Sequence, residues 1–236
     1  MKKIESLIIG TSIVIGLFLL GATLGKSIVE YKSLDRTVVV KGLAEKEVNA
    51  DIVIWNITYL RASNNLEDLY VNLDDDTQKI LSFLKKNGFS DDELSPTAPK
   101  IVDKIAQSYG GEQKIQFRYS GVGTLTLYSS QIDKARKSMR DITALGKAGI
   151  TFGSNTYENK TQYIFTKLNE IKPQMIKEAT SNARVSAQTF ASDSGSSLGK
   201  IKSARQGQFS IRPRDTNTPY IKRVRIVSTI EYYLED

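Results

Sequence analysis

The sequence predicts an α/β (α+β) body, a mixed or antiparallel sheet with three amphipathic helices packed on it, hung from an N-terminal transmembrane helix. Three observations lead there. An uncharged run of about twenty residues, 6–25, opens the chain, and at ~1.5 Å rise per residue it spans the ~30 Å hydrocarbon core of a bilayer. Beyond it a strand pattern leads into a helix pattern three times, over 48–84, 114–145 and 157–194. Two further strand patterns close the chain.

The opening run carries Ser6, Leu7, Ile8, Ile9, Ile13, Val14, Ile15, Leu17, Phe18, Leu19, Leu20 and Leu24, and it reads as an uncleaved single-pass anchor within 1–27. A secretory signal is the competing reading, because Lys2 and Lys3 form a basic start and Gly21, Ala22 and Thr23 are small. Signal cores usually run only ~7–15 apolar residues, and no A-x-A site follows this one. Lys2 and Lys3 then stay in the cytoplasm, and the chain from about residue 30 lies across the membrane. Gly21 and Gly25 have the GxxxG spacing that lets two helix backbones approach, although glycine is common in membrane helices anyway. Residues 28–36 form a polar stalk, and 37–236 the extracytoplasmic body.

Strands are expected at 37–40 and 48–60. In the second, Val48, Ala50, Ile52 and Ile54 occupy one face and Val53, Trp55, Ile57 and Tyr59 the other, as in a strand covered on both sides. Asn64 with Glu67 opens a helix that carries Leu66, Leu69, Tyr70, Leu73, Thr77, Ile80, Leu81 and Leu84 at i, i+3, i+4 spacing and stops at Gly88. Asp74, Asp75 and Asp76 point ~100° apart on that helix, cannot converge on one ion, and read as a solvated face. Asp91, Asp92 and Glu93, with Pro96 and Pro99 behind them, read as a connection and not a site. A strand follows at 114–128, where Gly121 and Gly123 suggest a bulge or bend. A second helix begins near Gln131 with Ile132, Ala135, Met139, Ile142 and Leu145, and ends at Gly146. Short strands are expected at 150–152 and 157–167. A third helix opens near Pro173 and runs to about Ser194, burying Met175, Ile176, Ala179, Ala183, Ala187, Phe190 and Ala191. Its alanines make a narrow face suited to close packing. The last strands, 200–211 and 222–234, put one face on the core and the other in water.

Composition narrows the chemistry. With no cysteine there is no disulfide, and with no histidine there is neither a Ser-His-Asp site nor a histidine-ligated zinc site. No glycine-rich phosphate loop sits at any strand-to-helix junction. No catalytic, cofactor-binding or metal-binding residue is assigned, and no small-molecule substrate is identified. A carboxylate-dependent hydrolase using Asp91 with Glu93 is the remaining enzyme reading. The net charge of +7 and pI near 9.3 invite nucleic acid, but acidic residues are mixed among the basic ones, so no nucleic-acid partner is expected. Membrane lipid is the expected partner, felt also by Lys26, Lys32 and Arg36 near the bilayer. Arg205, Arg212, Arg214, Arg223 and Arg225, with Phe209 and Tyr220 interleaved, form a candidate contact for an anionic envelope component or partner protein. Edge-strand charges that discourage aggregation are the plainer explanation.

The run QYIFTKLNEIKPQMIKEATSNARVSAQTFASDSGSSLGKI from Gln162, the end KRVRIVSTIEYYLED and the opening TVVVKGLAEKEVNADIVIW resemble the SIMPL-domain family. The ordered series Ala179, Ala183, Ala187, Ala191, Leu198, Gly199 carries much of the likeness, which covers nearly all of the chain beyond the stalk. The resemblance implies a bacterial envelope protein of the membrane-anchored subgroup, its body in the periplasm and its anchor in the inner membrane. Family members are linked to oxidative-stress tolerance and to immunogenic envelope proteins, and some assemble into large rings. No catalytic residues are carried over. A non-enzymatic homo-oligomer is therefore the expectation.

Overall fold

The computed structural model describes residues 2–33, 36–107, 116–153 and 160–235, with the side chains of 2–9 and 28–33 excepted. It is a mixed α+β chain with antiparallel sheets and helices packed against them. The expected strand start at 114–115 and most of 157–161 lie outside the described residues. The first helix, α1 (Lys2–Ser33), contains no proline and continues through the stalk segment as far as Ser33. The chain, α1 included, divides into two compact units, each assembled from separate stretches of chain.

One unit takes in 1–46, 169–210 and 224–236. Its sheet has the order β1 (Thr37–Asn49), β10 (Ile221–Glu235), β8 (Ser197–Gln206), and β9 (Ser210–Pro213) also pairs with β10. Strand β10 alternates, with Val224, Ile226, Ile230 and Tyr232 buried. Against them lies α6 (Leu168–Asp193), whose Met175, Ala179, Ala183, Ala187 and Ala191 recur every fourth residue and are all buried. The small face brings backbone to backbone: a Cβ on Gly42 of β1 would stand 1.8 Å from the Ala179 carbonyl oxygen and 2.4 Å from the Ala183 nitrogen. Phe190 is not part of this face, being 61% exposed, and Ile176 is half-buried. Both sit beside the alanine row, about 100° around the helix from one of its members. The helix also begins earlier than Pro173, which stands inside it in the second turn, where its missing N–H forfeits one i to i−4 bond. It ends where Gly195 takes φ 68° and the Ser196 N–H closes on the Ala191 carbonyl.

The other unit takes in 47–168 and 211–223. Its axis is the antiparallel pair β2 (Ile52–Ser63) and β5 (Tyr119–Ser129), in register from Val53 opposite Ser129 to Ser63 opposite Tyr119. On the outer side of β5 lie β3 (Leu94–Pro96) and β4 (Lys100–Asp103), which the sequence did not announce. On the outer side of β2 lie β6 (Thr151–Phe152) and β7 (Gln162–Ile164). Helix α2 (Leu66–Lys86) starts one residue later than expected, with the Asn65 side chain accepting the Glu67 N–H, and buries Leu69, Leu73, Ile80 and Leu84. Two pieces follow β5, α4 (Ile132–Asp141) and α5 (Thr143–Lys147); a single turn, α3 (Lys104–Gln107), follows β4. Val53, Trp55, Ile57 and Tyr59 of β2 face this core, whereas Ile52, Ile54 and Asn56 are half-exposed, so the strand is covered on one side and not on both.

Gly121 and Gly123 make no bulge, since the β2 to β5 register runs through them unbroken. They are cut-outs. A Cβ on Gly121 would stand 2.6 Å from Leu73 Cδ1, and one on Gly123 would stand 2.3 Å from the Tyr59 ring.

Candidate functional site

Helix α1 presents Ile13, Val14, Ile15, Leu17, Phe18, Leu19, Leu20 and Leu24, each 53–75% exposed. The window Gly10–Ser27 has a mean hydropathy of 1.4, which fits a membrane anchor or a signal. Thr23 turns its hydroxyl back onto the Leu19 and Leu20 carbonyls, so the helix hides that donor as an apolar solvent requires. Gly21 and Gly25 are one turn apart, with open space where a Cβ would project. The side chains of Ser6, Leu7, Ile8 and Ile9 lie outside the described residues.

The structure distributes the arginine set. Arg225 reaches Glu45 of β1 at 3.3 Å. Arg214 and Arg223 share Glu47, at 3.5 and 3.8 Å, and Arg214 also holds Asp215 at 3.0 Å. The Thr218 hydroxyl, Arg214 and the backbone N–H groups of Thr218 and Asn217 keep the Asp215 carboxyl far below the usual range. Arg205 on β8 and Arg212 on β9 are exposed and, among the described residues, have no carboxylate partner. Tyr220 is engaged by its own chain: the Arg136 guanidinium lies 3.7 Å from its ring centroid, and Tyr163 meets it edge-on at 6.1 Å.

Asp91 and Glu93 have separate partners. Asp91 pairs with Lys85 at 2.5 Å, while Glu93 accepts the Ser90 N–H at 3.0 Å and the Ser90 hydroxyl at 3.1 Å. Burial pushes the Glu93 carboxyl up, but bonds from Ser129, Ser90 and Gln131 outweigh it and leave it below the ordinary value. That suits a capping carboxylate, not a proton donor at neutral pH. Two open cavities of about 520 Å³ each, of mixed polar and apolar lining, share Ser130 and Gln131 at the start of α4.

A smaller cavity, about 250 Å³, lies between α2 and the connection from β3 to β4. Tyr59, Tyr70, Asp74, Leu81, Pro96 and Pro99 are among its walls. The Tyr59 hydroxyl meets Thr77. Burial raises the Tyr59 phenol above its ordinary value, against the Thr77 bond, and the Asp76 and Asp74 charges add to the rise. Beside it Asp76 is fully buried, held by Arg61 Nε at 2.5 Å and Nη2 at 2.7 Å, with Lys79 at 3.9 Å. Asp76 is therefore no part of a solvated face, although Asp74 and Asp75 are exposed. The spacing held the signal: 76 follows Leu73 by three and precedes Ile80 by four, on the apolar stripe itself.

Residues 38–225 match a family model described as SIMPL, protein of unknown function (DUF541). The match begins beyond α1. No curated protein matches the chain.

Proposed function

The chain belongs to the SIMPL family, and from that membership together with α1 we propose a non-enzymatic, membrane-tethered envelope protein that self-assembles into a homo-oligomeric ring or shell. The observation that carries the reading is the apolar window of α1, whose side chains find no cover among the described residues. Burying a leucine-sized side chain is worth ~1.5–3 kcal/mol, so a bilayer is the stable environment for such a window. Lys2 and Lys3 then mark the cytoplasmic end and the body is periplasmic. Stress tolerance is the physiological setting that the family resemblance suggests.

Assembly is supported by the edges of the β1-β10-β8 sheet. Among the described strands neither β1 nor β8 has a second neighbour, so each presents unpaired N–H and C=O groups. Strand β8 is exposed over nearly all of its ten residues, and β1 exposes Val39 and Leu43. Pairing the β1 edge of one copy with the β8 edge of the next is head-to-tail, and such contacts close into rings when the rotation suits. Reading the arginine segment as an anion contact rests on Arg205 and Arg212, because the other three arginines already hold carboxylates. Native mass spectrometry of full-length protein gently extracted from its membrane tests the assembly. A discrete multiple of 26.3 kDa is expected; a monomer at cellular concentration overturns it.

A further inference from the structure

We propose that the 250 Å³ cavity between α2 and the connection from β3 to β4 binds a small organic ammonium ion, primary or quaternary, with an apolar body. This stands apart from tethering and assembly. The cavity is built by one stripe of α2, carrying Tyr70, Leu73, Asp74, Thr77 and Leu81, by Tyr59 of β2, and by a wall of Pro96, Thr97 and Pro99. The wall is stiff. Thr97 donates both its N–H and its hydroxyl to the Thr124 carbonyl of β5, each at 3.0 Å, and the flanking prolines fix their own φ. The floor is equally set, since Tyr59 lies over the space that Gly123 leaves open and Leu73 over that of Gly121.

The chemistry of the lining selects the ligand. Thr77 donates its hydroxyl to the Leu73 carbonyl at 2.7 Å, so it can only accept from Tyr59, and the Tyr59 oxygen remains able to accept a further bond. Asp74, at the rim with half-exposed Tyr70, is the one carboxyl-bearing side chain of the lining and has no cation partner among the described residues. Its neighbour Asp76 is already neutralised by Arg61 and Lys79. The exposed Tyr70 ring and one unmatched carboxylate attract a cation and repel an anion, while a neutral guest gains nothing from Asp74. Leu73, Leu81 and the prolines accept an apolar body, and the volume, below the ~300–1,000 Å³ of drug-sized pockets, keeps that body small.

The test uses the full-length chain in lipid nanodiscs with three probes of one shape: phenethylammonium, 2-phenylethanol and phenylacetate. Ligand-observed NMR titration should show phenethylammonium binding roughly tenfold or more tighter than the alcohol, with phenylacetate weakest. Asp74→Asn should bring the ammonium to the alcohol's affinity, whereas Asp75→Asn, one residue along the same exposed surface, should leave the preference unchanged. Equal affinity for ammonium and alcohol overturns the proposal. So does an equal loss in both variants, which would reduce the effect to general surface charge, and so does the absence of binding by any of the three probes.

Discussion

Asp76 has no exposed surface, while its partner Arg61 keeps 29% of its side chain in solvent, and that asymmetry decides what each substitution leaves behind. Arg61→Leu strands a carboxylate in the core, with Lys79 at 3.9 Å as the remaining cation, and should cost ~3–5 kcal/mol. Asp76→Asn leaves a guanidinium that can turn into water, and should cost ~1.5–3 kcal/mol, the value of a lost charged hydrogen bond. Urea unfolding of both variants gives the order, and a larger loss for Asp76→Asn contradicts it. The pair was half legible in the sequence. Three successive helical aspartates point ~100° apart, which rules out a shared ion but equally requires that they not all face the same way. Position 76 falls on the Leu69, Leu73, Ile80 stripe. Its partner was not legible, because Arg61 lies on a strand whose place over α2 is set only by tertiary packing. The same is true of the cavity lining: Asp74 and Pro96 read as solvated face and connection, and only the fold puts them around Tyr59.

Elements meet through residues that lack side chains. The spacing of Ala179, Ala183 and Ala187 announced a face for close approach, but the sequence could not say what approaches, and the answer is the bare backbone at Gly42. Phe190 was misplaced for a related reason: an apolar residue next to an apolar row passes the spacing test, although its own direction misses the sheet. The two kinds of cut-out should respond differently to a methyl group. At Gly123 the obstacle is the Tyr59 ring, which would have to be displaced within the packed core but is side chain and not backbone, and Gly123→Ala should cost ~1–3 kcal/mol. At Gly42 the obstacle is helix backbone, which cannot swing aside, so Gly42→Ala should cost more than ~3 kcal/mol. Denaturation of the two variants compares them, and a Gly42→Ala protein as stable as Gly123→Ala would show that α6 is not seated as closely as it stands here. The glycines at 121 and 123 also show why no bulge interrupts β5. A strand glycine makes room for a neighbour as readily as it breaks a ladder, and one sequence does not distinguish these.

At the scale of the whole molecule, the order of the longer helices and strands was legible because each has its own period, whereas short strands such as β3 and β4 and the division into two compact units were not. Each unit draws on stretches from both ends of the body, and β1 and β10 begin in one unit and end in the other, so no linker marks a boundary in the chain. The N-terminal helix is the reverse case, readable from composition alone, and it carries the last prediction. Gly10–Ser27 passes the length and hydropathy test for a span, yet a signal near an N-terminus passes it too. Cleavage separates them. A signal leaves a mature chain lacking α1 and released from the bilayer, while an anchor keeps both its mass and its attachment. Intact mass of the membrane fraction after alkaline carbonate washing should give 26.3 kDa. Replacing Ile15 and Leu19 together by lysine should then move the protein out of that fraction, since a lysine at a helix centre opposes insertion by ~2.5–3.5 kcal/mol. A shorter soluble product from the unsubstituted chain would make the helix a signal, and would remove the tether on which the proposed assembly at the membrane depends.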